Sequence, residues 1–164
     1  MRTFTYIMTV FCFAIILTSC STDSLDDTIE MDSTAMVIPE TKAIETEILE
    51  LINQHRISIG LNTLVNHQLI KGQAFSHTDY MTDISEVNHD HFFTRKSYLV
   101  NNANAVKVSE NVAYGYSSAT SVVNAWLNSE GHRKNIEGDY TDFEISAELG
   151  ENNKWYFTNI FMKK

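Results

Sequence analysis

Apolar residues recur at steps of three and four from Ile44 through Ile48, Leu51, Ile52 and His55 to Ile59. That period predicts a helix with one stripe on a core and an end at Gly60. A second run of the same period follows Asn66, a good helix cap, and carries Leu69, Ile70, Gln73, Ala74, His77, Met81 and Ile84. It should end before Asn88. A third helix is predicted from Ser117 or Ser118, with Val122, Val123, Trp126 and Leu127 inward and a stop near Gly131. The period then changes to two: Phe143, Ile145, Ala147 and Leu149 alternate with Glu144, Ser146 and Glu148. Gly150-Glu151-Asn152-Asn153 turns the chain into the aromatic run from Trp155 to Phe161, which makes a β-hairpin. Helices first and a hairpin last predict an α+β domain, a central antiparallel sheet covered by helices.

The chain carries a formal net charge of −9. This argues against nucleic acid as a partner, since gripping a phosphate backbone needs clustered Lys and Arg, and none is present. The two cysteines, Cys12 and Cys20, both lie near the N-terminus, so a downstream domain folds without a disulfide. About 120 residues suffice to build a core unaided.

Arg2 precedes an apolar run from Tyr6 to Leu17, broken only by Thr9. It is too short to cross a bilayer as a mature helix and reads as a signal-peptide core within residues 1–19. The run ends in Leu17-Thr18-Ser19-Cys20, which resembles the bacterial lipobox, where cleavage precedes a cysteine that carries the lipid. The resemblance implies lipid attachment at Cys20 and an extracytoplasmic protein anchored to a membrane of the bacterial cell envelope. Residues 20–40 are acidic and Ser/Thr-rich with no Lys or Arg, the composition of a flexible tether. Such a segment has a root-mean-square reach of roughly 25 Å. The folded domain is then expected over residues 41–164.

Four motifs follow in order: His89-Asp90-His91-Phe92 with Arg95, then Ser109-Glu110-Asn111, then Trp126 with Gly131-His132-Arg133, and finally the hairpin. Together they resemble the bacterial branch of the CAP superfamily, the domain of cysteine-rich secretory, antigen 5 and pathogenesis-related-1 proteins. The resemblance implies an α-β-α sandwich with Asn111 to Tyr114 as a further strand. It also implies a cleft where other members place two histidines and two glutamates and, in several cases, a divalent metal. His89, Glu110 and His132 are the residues that carry over. This chain departs from the pattern in four places: His91 stands where bacterial relatives have glycine, Ser109 where the Gly-Glu-Asn motif has glycine, Ser129 where animal members have their second glutamate, and no histidine follows His132.

Two imidazoles and a carboxylate suit zinc or a similar divalent ion with a position left open for water, and Glu110 is then the candidate catalytic group. The same residues have plainer readings. Glu110 also suits a buried carboxylate that accepts backbone N–H groups, and His132 a helix end where the dipole favours imidazolium. His55 and His77 lie on apolar helix faces as structural residues, and His91 faces solvent or packs on Phe92. Trp126, Trp155 and Phe157 read as core. No serine sits in a Gly-x-Ser-x-Gly elbow. Two functions of different class result. One is a binding module for a small apolar ligand, an envelope component or a protein partner. The other is a metal-dependent hydrolase acting on peptide or envelope substrates.

Overall fold

The computed structural model describes residues 36–164. The expected signal peptide, Cys20 and most of the acidic segment lie outside these residues. The elements are α1 (Ala43–Ser58), β1 (Val65–Asn66), α2 (Gln68–Ile84), α3 (Phe92–Ala103), β2 (Lys107–Tyr114), α4 (Ala119–Asn128), α5 (Glu130–Ile136), β3 (Asp142–Leu149) and β4 (Trp155–Lys163). The four strands form one sheet in the order β1-β3-β4-β2. The sheet is mixed and not purely antiparallel, because β1 runs parallel to β3 while β4 is antiparallel to both β3 and β2.

Helices cover both faces. Ile48 and Ile52 of α1 and Val122, Val123 and Trp126 of α4 pack on Phe143, Ile145, Phe157 and Phe161. On the other face Ile70 and Ala74 of α2 and Leu99 of α3 meet Val108, Ile160 and Met162. Every residue of β4 from Tyr156 to Met162 is buried, as expected of a strand enclosed on both sides. The α-β-α sandwich follows from this double burial.

The buried stripe of α1 is rotated from the one its apolar residues suggest. It comprises Glu45, Ile48, Leu49, Ile52 and Arg56, while Ile59 is exposed. The two buried charges have work at the margins of the sheet. β1 pairs with only the first two residues of β3, leaving the rest of that edge open. Glu45 Oε1 accepts the Ala147 amide at 2.8 Å, and Lys71 Nζ donates to the Ile145 carbonyl at 2.8 Å and to Glu45 Oε2 at 2.7 Å. The ion pair thus occupies backbone groups that would otherwise offer an edge to another strand. Arg56 donates to the carbonyls of Asn62, Ile136 and Gly138, tying the end of α1 to the turn after α5.

Other boundaries differ from expectation for identifiable reasons. Asn66 sits in β1, and His67 takes the cap position of α2. Ser118 caps α4 by accepting the Ser121 amide, as read, but the helix ends at Asn128 and Gly131 lies inside α5. Met36 lays its thioether against Gly72, where a Cβ would come within 2.5 Å of the sulfur. Among the described residues no helix is long and apolar enough to cross a membrane.

A histidine-lined cleft at the edge of the sheet

The second edge of the sheet is β2, and the two helical layers meet across it. Trp126 Nε1 donates to the Val112 carbonyl at 3.1 Å, and Asn135 Nδ2 to the Glu110 carbonyl at 3.2 Å. Asn135 also donates to Asn111 Oδ1 at 2.8 Å, and Asn111 Nδ2 donates to the main-chain oxygen of His132 at 3.0 Å. This chain of amides fixes α5 against β2. Sequence pattern marks neither asparagine as a site residue, since each acts through a partner distant in sequence.

From the opposite layer comes the loop between α2 and α3. It runs between two left-handed residues, Ser85 with φ 55° and His91 with φ 58°. The second explains why glycine suits that position in the bacterial pattern. Three side chains pin the loop: His77 Nε2 bonds the Asn88 carbonyl at 2.9 Å, Arg95 Nη1 donates to the Asp90 carbonyl at 2.6 Å, and Tyr80 donates to Asp90 Oδ2 at 3.0 Å. Because a carbonyl only accepts, Nε2 of His77 carries the proton.

These constraints converge on Glu110. Arg95 grips its carboxylate with Nε on Oε2 and Nη2 on Oε1, both at 2.9 Å, and His89 Nδ1 donates to Oε1 at 2.9 Å. His77 Nε2 lies 3.9 Å from the same oxygen. Burial alone would push the Glu110 carboxyl up, but the hydrogen bonds from His89 and Arg95 and the guanidinium charge outweigh it and hold the group below its ordinary value. Burial, followed by the Arg95 charge, pushes His77 down, which keeps this imidazole neutral. Glu110 is therefore an anchor held in its ionised form at neutral pH. It accepts from side chains and not from the backbone N–H groups expected of a structural carboxylate.

The structure joins His89 to Glu110 and places His132 in the same cleft as His89. His89 is half-exposed, and its bond to Glu110 through Nδ1 leaves Nε2 without a protein partner among the described residues. His132 lies in the first turn of α5, not at a helix C-terminus, and burial, then the charge of His89, lower its pKa. Ser129 lines the cleft too, while Glu130 points away and pairs with Lys134 on the exposed face of α5. His55 pairs with Glu137 at 3.0 Å, and His91 packs its edge on Tyr80. The cleft itself measures about 480 Å³ and is walled by Val87, Val112, Tyr114, Tyr116, Ala125 and Trp126. Among the described residues no group of three or more His, Cys, Asp or Glu side chains is arranged to hold a metal ion.

Comparison with known proteins agrees with this architecture. Residues 49–160 match the family described as CAP, the cysteine-rich secretory protein family. The chain is 31% identical over 124 residues to the uncharacterised membrane protein YlbC of Bacillus subtilis, covering 73% of this chain and 34% of that protein. It is 33% identical over 116 residues to the uncharacterised protein YkwD of the same organism, covering 66% and 44%. It thus spans less than half the length of either relative. An outer surface protein of Borrelia burgdorferi shares the fold with a TM-score of 0.68 at 22% identity, covering 77% of this chain and 96% of that one. An extracellular protein of Bacillus anthracis containing an SCP domain superposes with a TM-score of 0.62 at 29% identity, covering 73% and 40%. With the family match spanning most of the sandwich, the chain belongs to the CAP family of cysteine-rich secretory proteins.

Proposed function

We propose that this domain is an extracytoplasmic binding module, anchored through a lipid on Cys20, whose cleft takes a small apolar ligand, an envelope component or a protein partner. One observation carries the choice of binding over catalysis. Both oxygens of Glu110 are committed to Arg95 and His89. A carboxylate held ionised below its ordinary value is a weak proton acceptor at neutral pH, and each of its oxygens already accepts a hydrogen bond. What remains in the cleft is apolar wall with a few convergent polar groups, the composition of a ligand pocket. Relatives described as membrane, outer surface or extracellular proteins support the placement outside the cytoplasm.

The rival reading, a metal-dependent hydrolase, draws support from His89, whose Nδ1 is oriented by a carboxylate as in many metal-binding histidines. Its donor set falls short, however. His89 and His132 supply two imidazoles, and the third ligand that catalytic zinc sites take from the protein would have to be a Glu110 released from Arg95. The test is to assay the purified protein for binding of a fluorescent fatty acid, cis-parinaric acid, and for hydrolysis of a peptide library with and without chelator. Saturable binding lost in Ala125→Phe, with no chelator-sensitive turnover, supports the module. Chelator-sensitive turnover abolished by Glu110→Gln contradicts it.

A further inference from the structure

The floor of the cleft is a strand edge. Gly115 donates its amide to the Trp155 carbonyl, and the register carries this ladder back through the pairs Ala113 with Phe157 and Asn111 with Asn159. In an antiparallel pair the alternate residues turn their backbone groups outward, so the amides of Val112 and Tyr114 point away from β4 at the cleft they line. The outward carbonyls of Glu110 and Val112 are already taken by Asn135 and Trp126. Among the described residues no group accepts from the outward amides of Val112 and Tyr114. Val112 is only 8% exposed, so its amide calls for an acceptor that enters the cleft.

A hydrocarbon chain supplies no acceptor. A peptide main chain supplies acceptors at the two-residue strand repeat of about 6.8 Å, which is the step from Val112 to Tyr114. The track also continues beyond the cleft. A second recess of about 270 Å³ lies along Val108, Ser109 and Glu110 and shares His89 with the first, and in Ser109 the Oγ is buried with no hydrogen-bond partner. From Val108 to Tyr114 the edge is about 20 Å long, the span of a strand of about six residues.

Charge narrows the class further. The groups that face this track are His89 from the loop, His132 from α5, Glu110 from β2 and, behind it, Arg95 from α3 and His77 from α2. The one carboxylate among them is neutralised by Arg95, so on a chain of net charge −9 the cleft presents two imidazoles and no free negative charge. An acidic group between them is complementary. We propose that the cleft and its neighbouring recess take an extended peptide of about six residues, which bonds the outward amides of Val112 and Tyr114 and places an acidic side chain between His89 and His132. This rests on reading the cleft as a binding site.

The full chain, held in detergent, is panned with a phage-displayed random heptapeptide library at pH 6.0, with Ala125→Phe as the filled-cleft control. Enriched sequences are expected to carry Asp or Glu at a fixed place. The synthetic heptapeptide should bind at least tenfold more weakly to His89→Gln or His132→Gln than to the wild type. Tyr114→Pro, which removes an amide that the sheet does not use, should also weaken binding tenfold, whereas Tyr114→Ala retains the amide and most of the affinity. Unchanged binding in Tyr114→Pro, or equal enrichment on Ala125→Phe, overturns the proposal. If cis-parinaric acid binds in the cleft but no peptide is enriched, the peptide falls and the binding module stands. If neither binds, both fall.

Discussion

Replacing Arg95 by Met is expected to detach the site from its anchor. Arg95 and Glu110 are each 6% exposed, and the guanidinium makes two bonds of 2.9 Å to the carboxylate and one of 2.6 Å to the Asp90 carbonyl. Removing one partner of a buried ion pair costs about 3–5 kcal/mol, because the other charge stays buried without compensation. His89 retains its bond to Glu110 and offsets part of this, which places the expected loss near the lower end, about 3 kcal/mol. At roughly 4 °C per kcal/mol for a domain of this size, the melting point should fall by about 12 °C. The assay is thermal and urea unfolding at pH 7, followed by tryptophan fluorescence, for wild type, Arg95→Met, Glu110→Leu and the double variant. Because the two side chains act as a pair, the double variant should be more stable than the sum of the single losses by at least ~1.5 kcal/mol. A loss in Arg95→Met below about 1 kcal/mol, the value of an exposed pair, together with additive losses would refute the anchoring role.

Stability should fall on acidification in two stages, and the sign follows from the shifts. His77 and His132 lie below the ordinary histidine value of 6.5, so through that window the unfolded chain binds more protons than the folded one; at lower pH Glu110, below the ordinary 4.5, acts in the same direction, while Glu144, pushed up by burial, opposes it. The contribution is complete above about 6.5, declines first through the histidine range and again as Glu110 is protonated; urea midpoints from pH 7.5 to 4 that stay flat would contradict this. His91→Gly should stabilise the domain by about 0.5–1 kcal/mol in urea unfolding, by relieving the left-handed conformation, and a clear loss would mean that the edge contact with Tyr80 matters more. Cys20→Ala should release the protein from membranes or block its processing, and fractionation unchanged from the wild type would refute lipidation at that residue.

The elements that were legible from sequence are those whose apolar residues do the packing, namely α1, α2, α4 and the hairpin of β3 and β4. The helix α3 was not, because its buried face consists of Arg95, Leu99 and Ala103 while Phe93 and Val100 are exposed, so its apolar pattern misstates its orientation. Strand β1 has two residues, both exposed, and leaves no period to read. The rotation of α1 has the same origin as the missed α3: Glu45 and Arg56 are buried to satisfy backbone groups elsewhere in the fold, which no local pattern records. Within the site, motif spacing pointed to His89, Glu110 and His132. It could not reveal that Arg95 occupies the carboxylate, or that His77 pins the loop from inside α2, because both are contacts across layers.

The central claim is that Glu110 is an ionised anchor beneath a binding cleft and not a poised acid or base. A carboxyl-detected ¹³C NMR titration of Glu110 in the folded protein, from pH 7 downward, tests it most directly. The account predicts a midpoint below the ordinary value of 4.5, rising in Arg95→Met. A midpoint above about 6, where a carboxyl group serves as a general acid or base, would contradict it.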